Sequence, residues 1–199
     1  MSQFLLVNAD RFSQAAGILS PLFERYGFGL HPAETIGNWR LLLIDNPRAQ
    51  AFYRVDVGHG RTLMAFGHFV YDGRVGSQAL QAFSRDNDPA APDWSRLQGH
   101  FTLLCIEPDR IIAFCDGLGA HKLYHDADHA VFSNAFLGAL AAMSAPRLDV
   151  QGAYEYAWAG ACYGMRTFVA GLSCLPANSI LQVGQGVEVH EHAPPTQPG

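Results

Sequence analysis

The sequence predicts an α+β domain. Runs of β-branched and aromatic residues of strand length open the chain, fill its middle and return near its end, with segments of helical period between them and no internal repeat. Residues 4–7 (Phe-Leu-Leu-Val) read as a short buried strand. Asp10 is placed to cap a helix with Phe12, Ala16 and Leu19 at helical spacing. Ser20-Pro21 either kinks that helix or starts a second one carrying Leu22, Phe23 and Tyr26. Residues 27–37 lack periodicity and read as loop. Three strands follow, at 39–45, 51–57 and 62–71, parted by the turn residues Asp45-Asn46-Pro47 and Gly58-His59-Gly60. The proline- and aspartate-rich stretch 86–92 reads as an exposed loop.

The middle of the chain carries the clearest pattern. Residues 101–107 and 110–116 are nearly continuous apolar runs joined at Pro108-Asp109, which predicts a hairpin buried on both faces. Strands at 122–125 and 130–133 come next, then a helix capped by Asn134 with Phe136, Leu137, Leu140 and Ala141 on one face. Asp149 caps another helix, with Val150, Tyr154, Ala157 and Trp158 expected to face inward and Gly160 to stop it. Strands at 179–183 and 187–190 follow Leu175-Pro176. One domain over residues 1–192 is expected, with a disordered tail or linker at 193–199, where three prolines stand without an apolar anchor.

Composition narrows the function. Of 199 residues, 49% are hydrophobic and 16% charged, enough apolar material for a proper core and too little charge for disorder. Thirteen basic against eighteen acidic residues give a net charge of −5, so no nucleic-acid partner is expected. Lys122 is the only lysine, a usage expected of a G+C-rich bacterial genome. The first apolar run is four residues long, too short for a signal peptide or a membrane span, so a cytoplasmic protein without a membrane partner is expected. The four cysteines lack a C-x-x-C spacing and read as buried free thiols.

From Leu97 onward, four stretches resemble the glutaminase-type domain that opens asparagine synthetases. Leu97-Gln98-Gly99-His100-Phe101 resembles the L-x-G-x-F of that family, and Asp116, Gly119, Leu123 and Tyr124 resemble its R-D-x-x-G-x-x-x-L-Y-Y, with Cys115 in place of the arginine and His125 in place of the last tyrosine. Phe132-Ser133 resembles F-[AS]-S-E, and Arg166-Thr167, Gly171 and Leu175-Pro176 match R-T-x-x-x-G-x-x-x-L-P in residue and spacing. The resemblance implies the class II glutamine amidotransferase fold of the N-terminal-nucleophile (Ntn) hydrolases, a four-layer αββα sandwich of two mostly antiparallel sheets. It makes Gly99, Asp116, Gly119, Tyr124, Arg166 and Pro176 structural motif residues.

The parts that carry glutaminase chemistry in the family are replaced. Its nucleophile is a cysteine after the initiator methionine, whose freed α-amine serves as general base; this chain has Ser2, followed by Gln3 where the family has glycine. Ser2 could act only if Met1 is removed. The N-G-E-I-Y-N strand of the family supplies an oxyanion hole, and its counterpart Phe66-Gly67-His68 keeps the glycine but puts phenylalanine at the asparagine. Arg40, in Trp39-Arg40-Leu41 with Ile44-Asp45, resembles the arginine that binds the substrate carboxylate; the G-D-x-E segment has no counterpart between Asp72 and Leu80.

A catalytically silent glutaminase-like domain is therefore expected, serving as a structural or partner module for an adenylating, amide-forming synthetase domain, as β-lactam synthetases and lasso-peptide cyclases are built. No S-G-G-x-D-S pyrophosphate loop occurs here, so a separate ATP-dependent synthetase domain is the expected partner. The alternatives are an active amidohydrolase or glutamine amidotransferase using Ser2, and a homo-oligomeric module holding a small metabolite. Neither cofactor nor metal is expected. His121, His125 and His129 recur every fourth residue, but in extended chain such positions lie about 13 Å apart, and His190 and His192 alternate on a terminal strand, where any metal binding would be adventitious. Asp116 and Lys122 read as an ion pair or turn cap.

Overall fold

The computed structural model describes residues 2–46, 52–184 and 186–191. The expected tail at 193–199, His192, Pro47 of the first turn and the start of the 51–57 strand lie outside these residues. The helices are α1 (Ala9–Tyr26), α2 (Gly76–Asp86), α3 (Phe136–Ala141) and α4 (Val150–Ala159). None is long and apolar enough to cross a membrane. The chain divides into two compact units, one of residues 3–46 and 122–175, the other of Ser2, 52–121 and 176–191.

The first unit is built on a seven-stranded antiparallel sheet. Its order runs Leu172–Cys174, Tyr124–Asp126, Val131–Ser133, Gln3–Asn8, Trp39–Asp45 and Gly29–Leu30, with Glu34–Ile36 also paired to Trp39–Asp45. Leu5 stands opposite Leu42 on one side and Ser133 on the other, and this register fixes which residues share a face. Leu5, Val7, Leu42, Ile44 and Val131 pack with Ala15, Leu19 and Phe23 of α1 and Ala139 and Ala141 of α3. Phe4, Leu6, Leu41, Leu43 and Phe132, which alternate with them, are equally buried. Continuous apolar strands are what burial on both faces demands.

Several local expectations are corrected in this unit. Pro21 does not start a second helix: α1 runs unbroken through it. Its cap is Asn8, whose Oδ1 accepts the Asp10 N–H, so Asp10 is the capped residue and not the cap. The presumed loop 27–37 contributes two short strands because its backbone pairs with Trp39–Asp45, at Gly29↔Asp45 and Thr35↔Arg40. Asn134 does not cap α3; its Oδ1 accepts the Phe4 N–H at 2.8 Å and ties that helix entrance to the first strand. The rings of His125 and His129 lie 5.0 Å apart, because Asp126 accepts the Ala130 and Val131 N–H groups and folds the intervening segment into a tight turn.

The largest correction concerns α4. Asp149 caps it through the Gly152 N–H and Gly160, at φ 70°, ends it, as expected. Its aromatic face points the other way, with Trp158 93% exposed, Tyr154 72% and Val150 63%. The buried face is Gly152 and Glu155. A Cβ on Gly152 would stand 2.5 Å from the Thr167 carbonyl oxygen, so the glycine is what lets the helix meet that backbone. Glu155 accepts from Arg166, Gln151 and the Tyr163 N–H, so a carboxylate holds the inward side.

The second unit carries a six-stranded antiparallel sheet, ordered Val187–Glu191, Ser179–Val183, Ile111–Cys115, Phe101–Ile106, Arg61–Gly67 and Tyr53–Gly58. The hairpin expected in the middle of the chain is its centre, with Thr102 opposite Cys115 and every residue of Ile111–Cys115 buried. Helix α2 has no counterpart among the sequence expectations. Its Ala79, Leu80, Ala82 and Phe83 are buried and pack with Leu63, Phe101, Leu103, Ile112 and Phe114. The predicted strand 62–71 breaks at Gly67, and Val70–Tyr71 pairs instead with Leu97–Gln98 and Arg74–Val75. Pro89 and Pro92 are buried, so the stretch 86–92 is anchored and not a free surface loop. Cys105, Cys115 and Cys174 are buried free thiols; Cys162 is only partly covered.

Candidate functional site

The strand Arg61–Gly67 delivers Phe66, Gly67 and His68 to one end of the second unit's sheet, beside Phe101 and Thr102 of the neighbouring strand. Gly67 has φ +94° and Gly99 φ +98°, a backbone region closed to other residues at ordinary cost. The two glycines permit one crossing. A Cβ on Gly67 would collide with the His100 carbonyl oxygen, and a Cβ on Gly99 with the His68 carbonyl oxygen. The His68 N–H donates to the His100 carbonyl at 2.8 Å and closes the crossing.

A buried imidazole completes this corner. His121 Nε2 lies 3.1 Å from where a Gly67 Cβ would stand, and its Nδ1 is 2.9 Å from the Thr102 hydroxyl. The ring is placed by the preceding turn, in which Asp116 accepts the backbone N–H groups of Leu118, Ala120 and His121 at 3.1, 3.1 and 2.8 Å. Gly119, at φ +59°, lets that turn close. Burial pushes the His121 pKa below its ordinary value, which keeps the ring neutral at pH 7.

Ser2 belongs to the same unit and is 1% exposed. Phe66 is wholly buried, its ring stacked on that of Phe52 at 5.3 Å and 27°. His68 is exposed. Arg40 lies in the first unit, where its Nη1 donates to the carbonyl of Trp39 at 3.0 Å and reaches that of Gly37 at 3.5 Å. Thus Ser2, Phe66, Gly67, His68, Gly99, Asp116 and Gly119 share one unit, while Arg40, Tyr124 and Arg166 belong to the other; Pro176 opens the last segment of the second unit.

Asp116 is a turn cap, one of the two roles expected for it; Lys122 makes no ion pair among the described residues. The sequence reading missed His100, Thr102 and His121 as members of this corner. The Asp-x-x-Gly turn two residues before His121 was the available signal, since a carboxylate-capped turn directs the residue that follows it. A cavity of about 420 Å³ adjoins the corner, lined among others by His100, Asp116 and Asn178. No group of three or more potential metal ligands occurs among the described residues.

No protein-family model matches the chain, and no curated protein matches it by sequence. Solved structures do match by fold. One is described as the allosteric regulatory enzyme of purine biosynthesis, at TM-score 0.51 and 10% identity over 96% of this chain. Another is glutamine phosphoribosylpyrophosphate amidotransferase from B. subtilis complexed with ADP and GMP, at TM-score 0.48 and 10% identity. The chain spans about half the length of each, 49%. At such identity the likeness shows the fold alone: an α+β, Ntn-hydrolase-like chain of antiparallel sheets and few helices, as the sequence predicts.

Proposed function

We propose that this chain is a catalytically silent glutaminase-like domain, related to those of asparagine synthetases, that serves as a partner module for an adenylating, amide-forming synthetase domain. The observation that carries the silent part is Phe66. At the position where the family places its oxyanion asparagine, a fully buried aromatic ring is stacked on Phe52. Loss of one oxyanion donor typically lowers the rate about a hundred- to a thousandfold. Arg40 adds support, because its Nη1 donates to carbonyls of its own hairpin. The exposed side chains of Tyr154, Trp158, Tyr163 and Met165 support the partner part.

The test is glutamine hydrolysis by protein made with its native start, alongside Ser2→Ala. Equal, background release of ammonia from both is expected, with no covalent labelling of Ser2 by an electrophilic glutamine analogue. Turnover that disappears in Ser2→Ala would establish the alternative, an active amidohydrolase with Ser2 as nucleophile. The partner reading is tested by light scattering with an ATP-dependent synthetase domain encoded beside this chain: wild type should form a complex that Trp158→Ala weakens.

A further inference from the structure

A cavity of about 300 Å³ opens within the first unit, between α4, the loop after it and the strand Tyr124–Asp126. Its apolar wall is a chain of rings. Tyr124 meets Phe136 at 5.6 Å, Phe136 meets Phe168 at 4.9 Å, and Phe168 meets Tyr156 at 5.1 Å. The size is at the lower end of small-molecule sites, and such sites are apolar clefts with a few convergent polar groups.

The charged groups of this cleft are cations. Lys122, the only lysine of the chain, lines it, is exposed and has no acidic partner among the described residues. It shares the cavity wall with Cys174 and Tyr124. Arg166 is the second. Its Nη2 donates to Glu155 Oε1 at 2.8 Å, and Glu155 is itself fastened by the Gln151 side chain and the Tyr163 N–H. The buried carboxylate thus orients the guanidinium, whose remaining N–H groups have no protein acceptor among the described residues while its side chain is half-exposed. No acidic residue lines the cleft, on a chain whose net charge is −5.

We infer that this cleft binds a small organic anion carrying a planar ring, its carboxylate or phosphate between Lys122 and Arg166 and its ring against Tyr156 and Phe168. Guanidinium and ammonium groups with free donors suit an anionic head, and offset or edge-on contacts between rings hold a planar body. The site shares no residue with the glutaminase-like corner and does not depend on whether Ser2 is silent.

Calorimetric titration with adenosine 5′-monophosphate and with indole-3-acetate tests the two head groups; adenosine and indole-3-acetamide are the neutral controls. At least one anion should bind with a Kd below about 1 mM and at least about tenfold more tightly than its neutral control. The affinity should fall when salt is raised from about 50 to about 300 mM. Lys122→Gln, at an exposed position that leaves folding intact, should weaken binding about tenfold or more, and Tyr156→Ala should weaken it separately; circular dichroism verifies both folds. Response to only one of the anions identifies the head group. Saturation by neither anion below about 1 mM, equal binding of a neutral control, or binding unchanged in Lys122→Gln overturns the inference.

Discussion

Phe66→Asn restores the residue type that an oxyanion hole would require, and the structure says the protein should not tolerate it. The ring is fully buried and stacked on Phe52. Removing a buried phenylalanine side chain costs about 3–5 kcal/mol, from lost burial together with the cavity left behind. The amide then adds about 1–3 kcal/mol unless new donors and acceptors reach it. A total of about 4–8 kcal/mol is expected, against a whole-domain stability on the order of 5–15 kcal/mol. Urea unfolding followed by tryptophan fluorescence measures it, with Phe66→Leu as the apolar control at about 1–2 kcal/mol. Phe66→Asn should also gain no glutaminase activity. A loss below about 1 kcal/mol, or ammonia release in this variant alone, would refute the reasoning.

Two glycine-to-alanine changes in helices should act with opposite sign. Gly17 of α1 is exposed with nothing within 4 Å of an added Cβ, so Gly17→Ala should stabilise by about 0.5–1 kcal/mol and raise Tm. Gly152→Ala would bring a Cβ to 2.5 Å from the Thr167 carbonyl oxygen and should destabilise by about 1–3 kcal/mol despite the better helix propensity. Burial depresses the pKa values of His121 and His125, so the unfolded chain binds more protons than the folded one as pH falls through about 6.5. Stability should be level above that value and decline as pH falls below it, measured as urea midpoints, with a shallower slope in His125→Gln. Burial pushes the Cys105 thiol up to about 12, so in native protein at about pH 8 it should resist iodoacetamide, while the partly covered Cys162 reacts first.

The strands were the legible part of this fold because their signal is local. Phe101–Ile106 and Ile111–Cys115 are apolar at nearly every position, which only burial on both faces explains, and no distant contact was needed to read them. Helix α4 shows where that signal stops. Its Val150, Tyr154 and Trp158 form a regular apolar stripe, but the stripe does not say which way it faces; the fit of Gly152 against the Thr167–Phe168 backbone and the capture of Arg166 by Glu155 decide that. Both contacts join residues more than ten positions apart. Helix α2 carried a readable pattern in Ala79, Leu80, Ala82 and Phe83, yet its short alanine-rich face competes poorly with the turn residues on either side. At the candidate site, Gly67 and Phe66 were found through the resemblance, whereas His121 depends on the turn closed around Asp116.

The residues that carry the resemblance answer demands of the fold. Gly99 lets the segment before Phe101 cross beneath His68, and no other residue fits there. Asp116 gathers three backbone N–H groups in a buried turn, and Gly119 supplies that turn's positive φ. Arg166 answers a buried carboxylate, so its loss would leave Glu155 with an uncompensated charge. Each of these residues answers a backbone or burial demand of the fold itself. None of them requires that Ser2 attack anything. Under the proposed silent reading, a chain could exchange an oxyanion donor for a phenylalanine and keep the whole set, because each member answers the fold. For the same reason the motifs after Leu97 are a statement about architecture, and only Ser2, Phe66 and Arg40 bear on whether glutamine is hydrolysed.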